Sequence, residues 1–233
     1  MFEVRGVCDP SPAALAFMAA EFGLPTFPTI EALLDVPLDT VVIASPDALH
    51  HEQALMALQR GLHVYCEKPL CYVSVDIDEL IAARQRAGKV LQVGYMKRFD
   101  PSCEAALTFM PVTAKTLRYV FVEVNDPDAW PFIRHHNWSR ADDVAPELKS
   151  ALLRKQQDQV ARALQKPVDD LTYRGFVGSY CSSLVHDVNT VHGLLEELHS
   201  IGRETGDGAN CGSCRPEIAD VIRECRTYVE AAE

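Results

Sequence analysis

The chain has 233 residues, 48% hydrophobic and 24% charged, an ordinary balance for one or two globular domains. Its net charge of −11 argues against nucleic acid or an anionic membrane as partner, since both are polyanions. No apolar run approaches the roughly 18 residues that span a bilayer, and Met1-Phe2-Glu3-Val4-Arg5 lacks the basic start and apolar core of a signal peptide.

Val4-Arg5-Gly6-Val7-Cys8 predicts a short strand ending at Asp9. Ser11 then caps a helix with Pro12 at its first position, and Gly23 stops it. Leu15, Met18, Ala19 and Phe22 form its apolar face. Thr29 to Asp35 reads as a short helix, and Leu38 to Ala44 as a strand. Asp47 is placed to cap the next helix, whose inner face is Leu55, Leu58 and Leu62. A strand follows from Leu62 to Cys66. Asp76 and Glu79 resemble a capping box for a helix that Gly88 ends, with Ile77, Leu80 and Ile81 inward. Lys89 to Tyr95 is a further strand. The pattern predicts parallel strands at about 3–8, 39–44, 62–66 and 89–94. The alternation then stops. Leu117 to Val124 reads as a longer strand, Asn125 to Asp143 as a loop containing His135 and His136, Pro146 to Gln165 as a polar helix, and Ser179 to Leu198 as another helix.

Strand, helix and strand at this spacing make parallel βαβ units, and open parallel sheets bind ligands beyond the carboxyl ends of their strands. Ser45, Pro46, Glu67, Lys68 and Pro69 all fall at such ends, and Asp9 ends the first strand. The adjacent His135 and His136 have no nearby Cys, Asp or Glu at ligand spacing and read as a loop feature.

Four segments carry a family resemblance. They are Val7-Cys8-Asp9-Pro10, Ala44-Ser45-Pro46-Asp47-Ala48-Leu49-His50, Gly61-Leu62-His63-Val64-Tyr65-Cys66-Glu67-Lys68-Pro69-Leu70 and Val93-Gly94-Tyr95-Met96-Lys97-Arg98-Phe99-Asp100-Pro101. In order and spacing, residues 1–101 resemble the dinucleotide-binding domain of the glucose–fructose oxidoreductase/inositol dehydrogenase family (Gfo/Idh/MocA). The resemblance implies a partial Rossmann-type α/β sheet at 1–101, a truncated α+β substrate domain at 102–198, and a tail at 199–233. It implies a cytoplasmic NAD- or NADP-dependent oxidoreductase acting on a sugar, polyol or related small molecule, with homo-oligomerisation left open.

The resemblance also assigns roles. Asp9 would hydrogen-bond ribose hydroxyls, which favours NAD over NADP; a turn-forming Asp-Pro is the alternative. Ser45, Pro46 and His50 would line the cofactor's path, with Glu67 positioning groups beside them. Lys68 would be the active-site lysine, holding a substrate hydroxyl and favouring its alkoxide, against the alternative of a solvated surface lysine. Arg98 would face substrate or form a structural ion pair. Gly178 to Asn189 resembles the family's helical histidine signature, with His186 as general acid/base and Asp187 and Asn189 beside the substrate. Ser182 and Asn189 stand where the family often has acids. Lys68 and His186 are expected to approach each other across a cleft.

The Gly-x-Gly-x-x-Gly turn that brings backbone N–H groups to the pyrophosphate does not occur in these residues. The chain opens on what reads as the family's second strand, so a central βα unit of roughly 30 residues is expected to be missing. A fragment, a truncated product and a degenerate relative all fit, and NAD binding by this polypeptide is expected to be weak. Ile201 to Ile218 resembles half of a bacterioferritin-associated-ferredoxin-like 2Fe–2S domain, with Cys211 and Cys214 as two thiolate ligands and Cys225 as a third candidate. Zinc would suit the same pair. Of the eight cysteines, the first five sit in or beside apolar runs, which reads as a reducing cytoplasm with no disulfide framework. The rival functions are a non-catalytic binding relative and an iron–sulfur electron carrier.

Overall fold

Short strands set the architecture, and each is followed by a helix or a helical turn. The computed structural model describes residues 2–109, 121, 123, 130–136 and 142–200. The chain divides into two units, residues 1–91 with 125–169 and residues 92–124 with 170–233.

The first unit begins with β1 (Val7–Cys8) and α1 (Pro12–Phe22). Ser11 caps α1 by accepting the Ala14 N–H, and Gly23, at φ +65°, closes it in the left-handed region that glycine tolerates. β2 (Thr26–Phe27) pairs in parallel with β1, Val7 opposite Thr26 and Cys8 opposite Phe27. α2 (Ile30–Leu34) is capped by Thr29. β3 (Thr40–Ile43), α3 (His50–Gln59) and β4 (His63–Cys66) form a parallel βαβ unit in which Val41 opposes Val64. α4 (Ser74–Ala87) leads to β5 (Leu91–Val93). Two parallel sheets result, one ordered β1-β2 and the other β3-β4-β5.

The core lies under the second sheet. Val41, Ile43 and Val64 point into it, and Ala54, Ala57 and Leu58 of α3 meet Leu80 and Ala83 of α4 there. Fully burying a leucine is worth about 1.5–3 kcal/mol, so α3 and α4 are held mainly by this layer. The predicted apolar face of α1 does not behave this way. It contains no buried residue, and Phe22 is 58% exposed.

Several expectations need correction. The first strand is confined to Val7–Cys8, because its pairing runs only from Val7 N–H to the Pro25 carbonyl through Asp9 N–H to the Phe27 carbonyl. β2 was not anticipated; two residues carry no readable period. Asp47 does not cap a helix. A 3₁₀ turn at Asp47–Leu49 precedes α3, and the Asp47 carboxylate accepts the Tyr72 hydroxyl at 2.8 Å. The proposed capping box is absent: α4 begins at Ser74 without a side-chain cap, Asp76 pairs with Arg162, and Glu79 with His51.

Beyond β5 the chain forms α5 (Pro101–Leu107), the single turn α6 (Trp130–Ile133) and α7 (Pro146–Leu164). The polar helix was expected within a domain at 102–198, yet α7 packs with the first unit. Its buried Val160 and a row of polar anchors dock it there. Gln159 donates to the Ala48 carbonyl at 3.1 Å, Gln156 donates to the Tyr72 hydroxyl at 2.7 Å, and Lys155 pairs with Glu52.

The second unit holds a 3₁₀ turn at Met96–Phe99, α5, α8 (Asp170–Arg174), a π-helical stretch at Gly175–Leu184 and α9 (Val185–Ser200). Among the described residues no helix is long and apolar enough to cross a membrane. The expected strand at 117–124, save Phe121 and Glu123, and the tail with Cys211, Cys214 and Cys225 lie outside the described residues.

Candidate functional site

Three strand ends of the first unit carry the residues singled out from sequence. At the end of β1, Asp9 Oδ1 accepts the Ser11 N–H at 2.8 Å. Asp143, from the segment leading into α7, reaches the same place: one carboxylate oxygen accepts the Ser11 hydroxyl and the other accepts the Ala13 N–H at 2.8 Å. Ser11 is fully buried beneath this clasp. Nothing in the local sequence announces a contact spanning so much chain.

The Ser11 hydroxyl, and after it the Ala13 N–H, hold the Asp143 carboxyl below the usual carboxylate range. A carboxyl whose folded value is depressed contributes stability that is present above its unfolded value and lost as pH falls through the folded one. Acidification below about pH 4, the ordinary carboxylate value, and on through the lower folded value is therefore expected to release the clasp and speed proteolysis around 142–146. Asp143→Asn should flatten that pH dependence. Equal pH dependence in the variant would refute the assignment.

At the end of β3, the Ser45 hydroxyl donates to Gln53 Oε1 at 2.6 Å. At the end of β4, the Glu67 N–H donates to the Ile43 carbonyl at 2.8 Å, tying the two ends together. Glu67 Oε2 accepts the Lys68 N–H at 3.3 Å, and the Lys68–Pro69 peptide is cis. His50, expected to line a cofactor's path, is buried at the start of α3. Its Nδ1 lies 2.8 Å from the Pro69 carbonyl oxygen and its Nε2 2.7 Å from that of Ser45. Each ring nitrogen faces a backbone carbonyl, and since a neutral imidazole carries one N–H it donates to one of them at a time; His50 is thereby wedged between the two strand ends rather than turned toward a ligand. Burial pushes the thiols of Cys66 and Cys71 up to about 12, Cys66 with help from Glu67, so both are protonated and poor nucleophiles at neutral pH.

The second unit contains the other half of the predicted set. The 3₁₀ turn after β5 packs against α9. The Tyr95 ring meets the His186 ring edge-on, with centroids 6.2 Å apart and planes at 87°. Lys97 Nζ lies 3.2 and 3.3 Å from the two oxygens of Asp187. The Arg98 guanidinium lies against Gly193, where an added Cβ would come within 2.5 Å of it. Asn189 is buried on the same helix. Asp187, expected to face substrate, is thus engaged by Lys97, and Arg98 rests on α9. Tyr95 and Lys97 were not singled out from sequence, although both belong to the quoted Gly94-Tyr95-Met96-Lys97-Arg98 motif. Among the described residues no group of three or more His, Cys, Asp or Glu side chains is arranged to hold a metal.

Residues 1–95 match the family described as "Oxidoreductase family, NAD-binding Rossmann fold". The chain is similar to UDP-N-acetylglucosamine 3-dehydrogenase of Acidithiobacillus ferrooxidans, 34% identical over 102 residues, which are 44% of this chain and 32% of the relative. It is similar to D-xylose 1-dehydrogenase (NADP(+)) 2 of Haloferax volcanii, 37% identical over 106 residues, 45% of this chain and 33% of that one. Inositol 2-dehydrogenase of Rhodococcus jostii is 27% identical over 206 residues, 86% of this chain and 45% of its own. The chain therefore spans less than half the length of these relatives.

Proposed function

We propose, for a chain that belongs to the Gfo/Idh/MocA oxidoreductase family through its residues 1–95, that the protein moves a hydride between NAD(P) and a hydroxyl-bearing sugar, polyol or related small molecule. The observation that carries the reading is the match over 1–95 together with the convergence of Ser45, Glu67 and Lys68 at two tied strand ends. The printed names of the relatives, a UDP-sugar, a xylose and an inositol dehydrogenase, support the substrate class.

The first unit's strand ends offer groups suited to the ribose and nicotinamide ends of a dinucleotide, not to its pyrophosphate. Asp9 keeps acceptor capacity beyond its bond to Ser11, and would take a ribose hydroxyl. Ser45 and Pro46 would flank the cofactor where β3 ends. The bound dinucleotide supplies the hydride acceptor for alcohol oxidation. The Lys68 ammonium would hold the reacting hydroxyl and favour its alkoxide, and His186 would take the proton that leaves as the C–H bond is broken. In the reverse direction His186 returns that proton. A reducing, cytoplasmic setting goes with this reading and is supported by free thiols at Cys8, Cys66, Cys71, Cys103 and Cys181.

The test joins a family-type strand, Gly-x-Gly-x-x-Gly turn and helix ahead of Met1. The 233-residue chain alone is expected to bind NAD with a dissociation constant weaker than about micromolar, because it lacks the backbone cradle for two phosphate charges. The joined protein should bind NAD and reduce it with a polyol or sugar from a panel. Lys68→Met and His186→Asn should each slow turnover by about 10²–10⁴. A joined protein that folds and binds NAD but transfers no hydride would favour a non-catalytic binding relative. An iron–sulfur carrier would instead show itself in the visible absorbance of the purified chain.

A further inference from the structure

The 3₁₀ turn at 96–99 and the residue before it touch α9 at three points, and those points do more than glue the helix down. His186 and Gly193 are seven residues apart, so they lie on one face of α9 and about 10 Å along its axis. Asp187 sits one step, about 100°, around the same helix. Tyr95 meets His186, Lys97 meets Asp187 and Arg98 meets Gly193. Contacts on two faces and at two heights determine both the rotation and the axial position of α9. The turn is itself held by the Tyr95 N–H to the Val93 carbonyl at 2.8 Å and the Asp100 N–H to the Lys97 carbonyl at 3.2 Å.

We propose that Lys97 and Tyr95 are positioning residues for His186: Lys97, by pairing with Asp187, sets the charge beside the imidazole, and Tyr95 sets the plane of its ring. The inference rests on the reading of His186 as the proton-transfer group. Asp187 is next in sequence to His186 and only 19% exposed, while the Lys97 side chain is 41% exposed. A shielded carboxylate one helix step away raises the basicity of the imidazole through space, although the two side chains do not face each other. Lys97 Nζ lies within hydrogen-bond range of both its oxygens and cancels that charge. The other titratable or charged groups on elements packed against α9 are Tyr95 and Arg98 beside Lys97, Tyr180 and Cys181 on the π-helical stretch, and His192 on α9 itself. Lys97 is the cation with a paired carboxylate immediately beside His186. The Tyr95 ring stands edge-on to the imidazole, with centroids 6.2 Å apart and planes at 87°, and bounds one side of the space into which the imidazole can turn.

The test is a pH titration of the His186 ring by NMR in the full 233-residue chain, which needs no bound cofactor. Lys97→Met should raise the midpoint by about half to one pH unit. Asp187→Asn should lower it by a similar amount. The double variant should return to within about a third of that change of the wild-type midpoint, since the two opposite charges are removed together. Lys97→Arg should restore the wild-type midpoint, which a purely structural role for the lysine stem would not require. Tyr95→Leu should abolish the ring-current displacement of the His186 ring protons, and Tyr95→Phe should keep it. An unmoved midpoint in Lys97→Met, or shifts of the same sign in Lys97→Met and Asp187→Asn, would overturn the role of Lys97. Unchanged ring protons in Tyr95→Leu would overturn that of Tyr95. Failure of the acid/base reading is separately visible: His186→Asn in the joined protein would then turn over normally, and a shift in the titration would describe a histidine without a catalytic use.

Discussion

His50→Ala is expected to cost the first unit about 2–4 kcal/mol and to loosen both strand ends at which Lys68 and Ser45 stand. The imidazole is buried, with one nitrogen 2.8 Å from the Pro69 carbonyl and the other 2.7 Å from that of Ser45. Alanine removes both contacts and leaves a void between α3 and the two loops. The carbonyl that accepted the ring N–H loses its partner where water has little access, which is the costly case for a polar group. Urea unfolding of the variant gives the number; a loss under about 1 kcal/mol would mean that the loops are held by other contacts. His50→Gln should recover part of the loss, since its amide can still donate to one of the carbonyls.

Leu80→Ala should destabilise the same unit by about 3 kcal/mol, within the 2–5 kcal/mol span for buried leucines. Leu80 is fully buried on α4, which packs against α3 with its buried Ala57 and Leu58. The instructive control is Phe22→Ala. Phe22 is larger but 58% exposed at the end of α1, and its loss should cost well under 1 kcal/mol. Thermal melts of the two variants distinguish the helices that the core holds from the one it leaves outside. Comparable losses would mean that α1 is covered in solution.

The contrast bears on what could be read from residues alone. Thr40-Val41-Val42-Ile43 is β-branched throughout and ends in Ser45-Pro46, so β3 and its carboxyl end were legible. Ser11, Pro12 and Gly23 bounded α1 correctly because capping is local chemistry. What failed was set by partners far along the chain. Asp76 and Glu79 have capping-box spacing, but Arg162 and His51 take them as ion-pair partners. Asp47 looked like a cap and serves Tyr72. Periodicity called α7 a helix and could not say which unit it joins, because its anchors are polar and their targets, Ala48 and Tyr72 among them, are distant. In the candidate site, the family motifs led to Lys68 and His186. They did not reveal that His50 is a brace, or that Tyr95 and Lys97 address α9. The π-helical stretch at 175–184 adds a further reason, since a winding wider than 3.6 residues per turn shifts which side chains share a face before α9 begins.

The division of the strands into two separate parallel ribbons has a practical consequence for handling the protein. β3 is bonded to β4 alone among the described residues, and it carries Val42 at 68% exposure. Such a row of open N–H and C=O groups beside an apolar side chain is a template on which another polypeptide can add a strand. Dispersal of the chain will then be governed by protein concentration, and by salt, which screens the mutual repulsion that a net charge of −11 provides. Dilute, low-salt solutions should keep it monodisperse longest, and a charged residue in place of Val42 should lengthen that time.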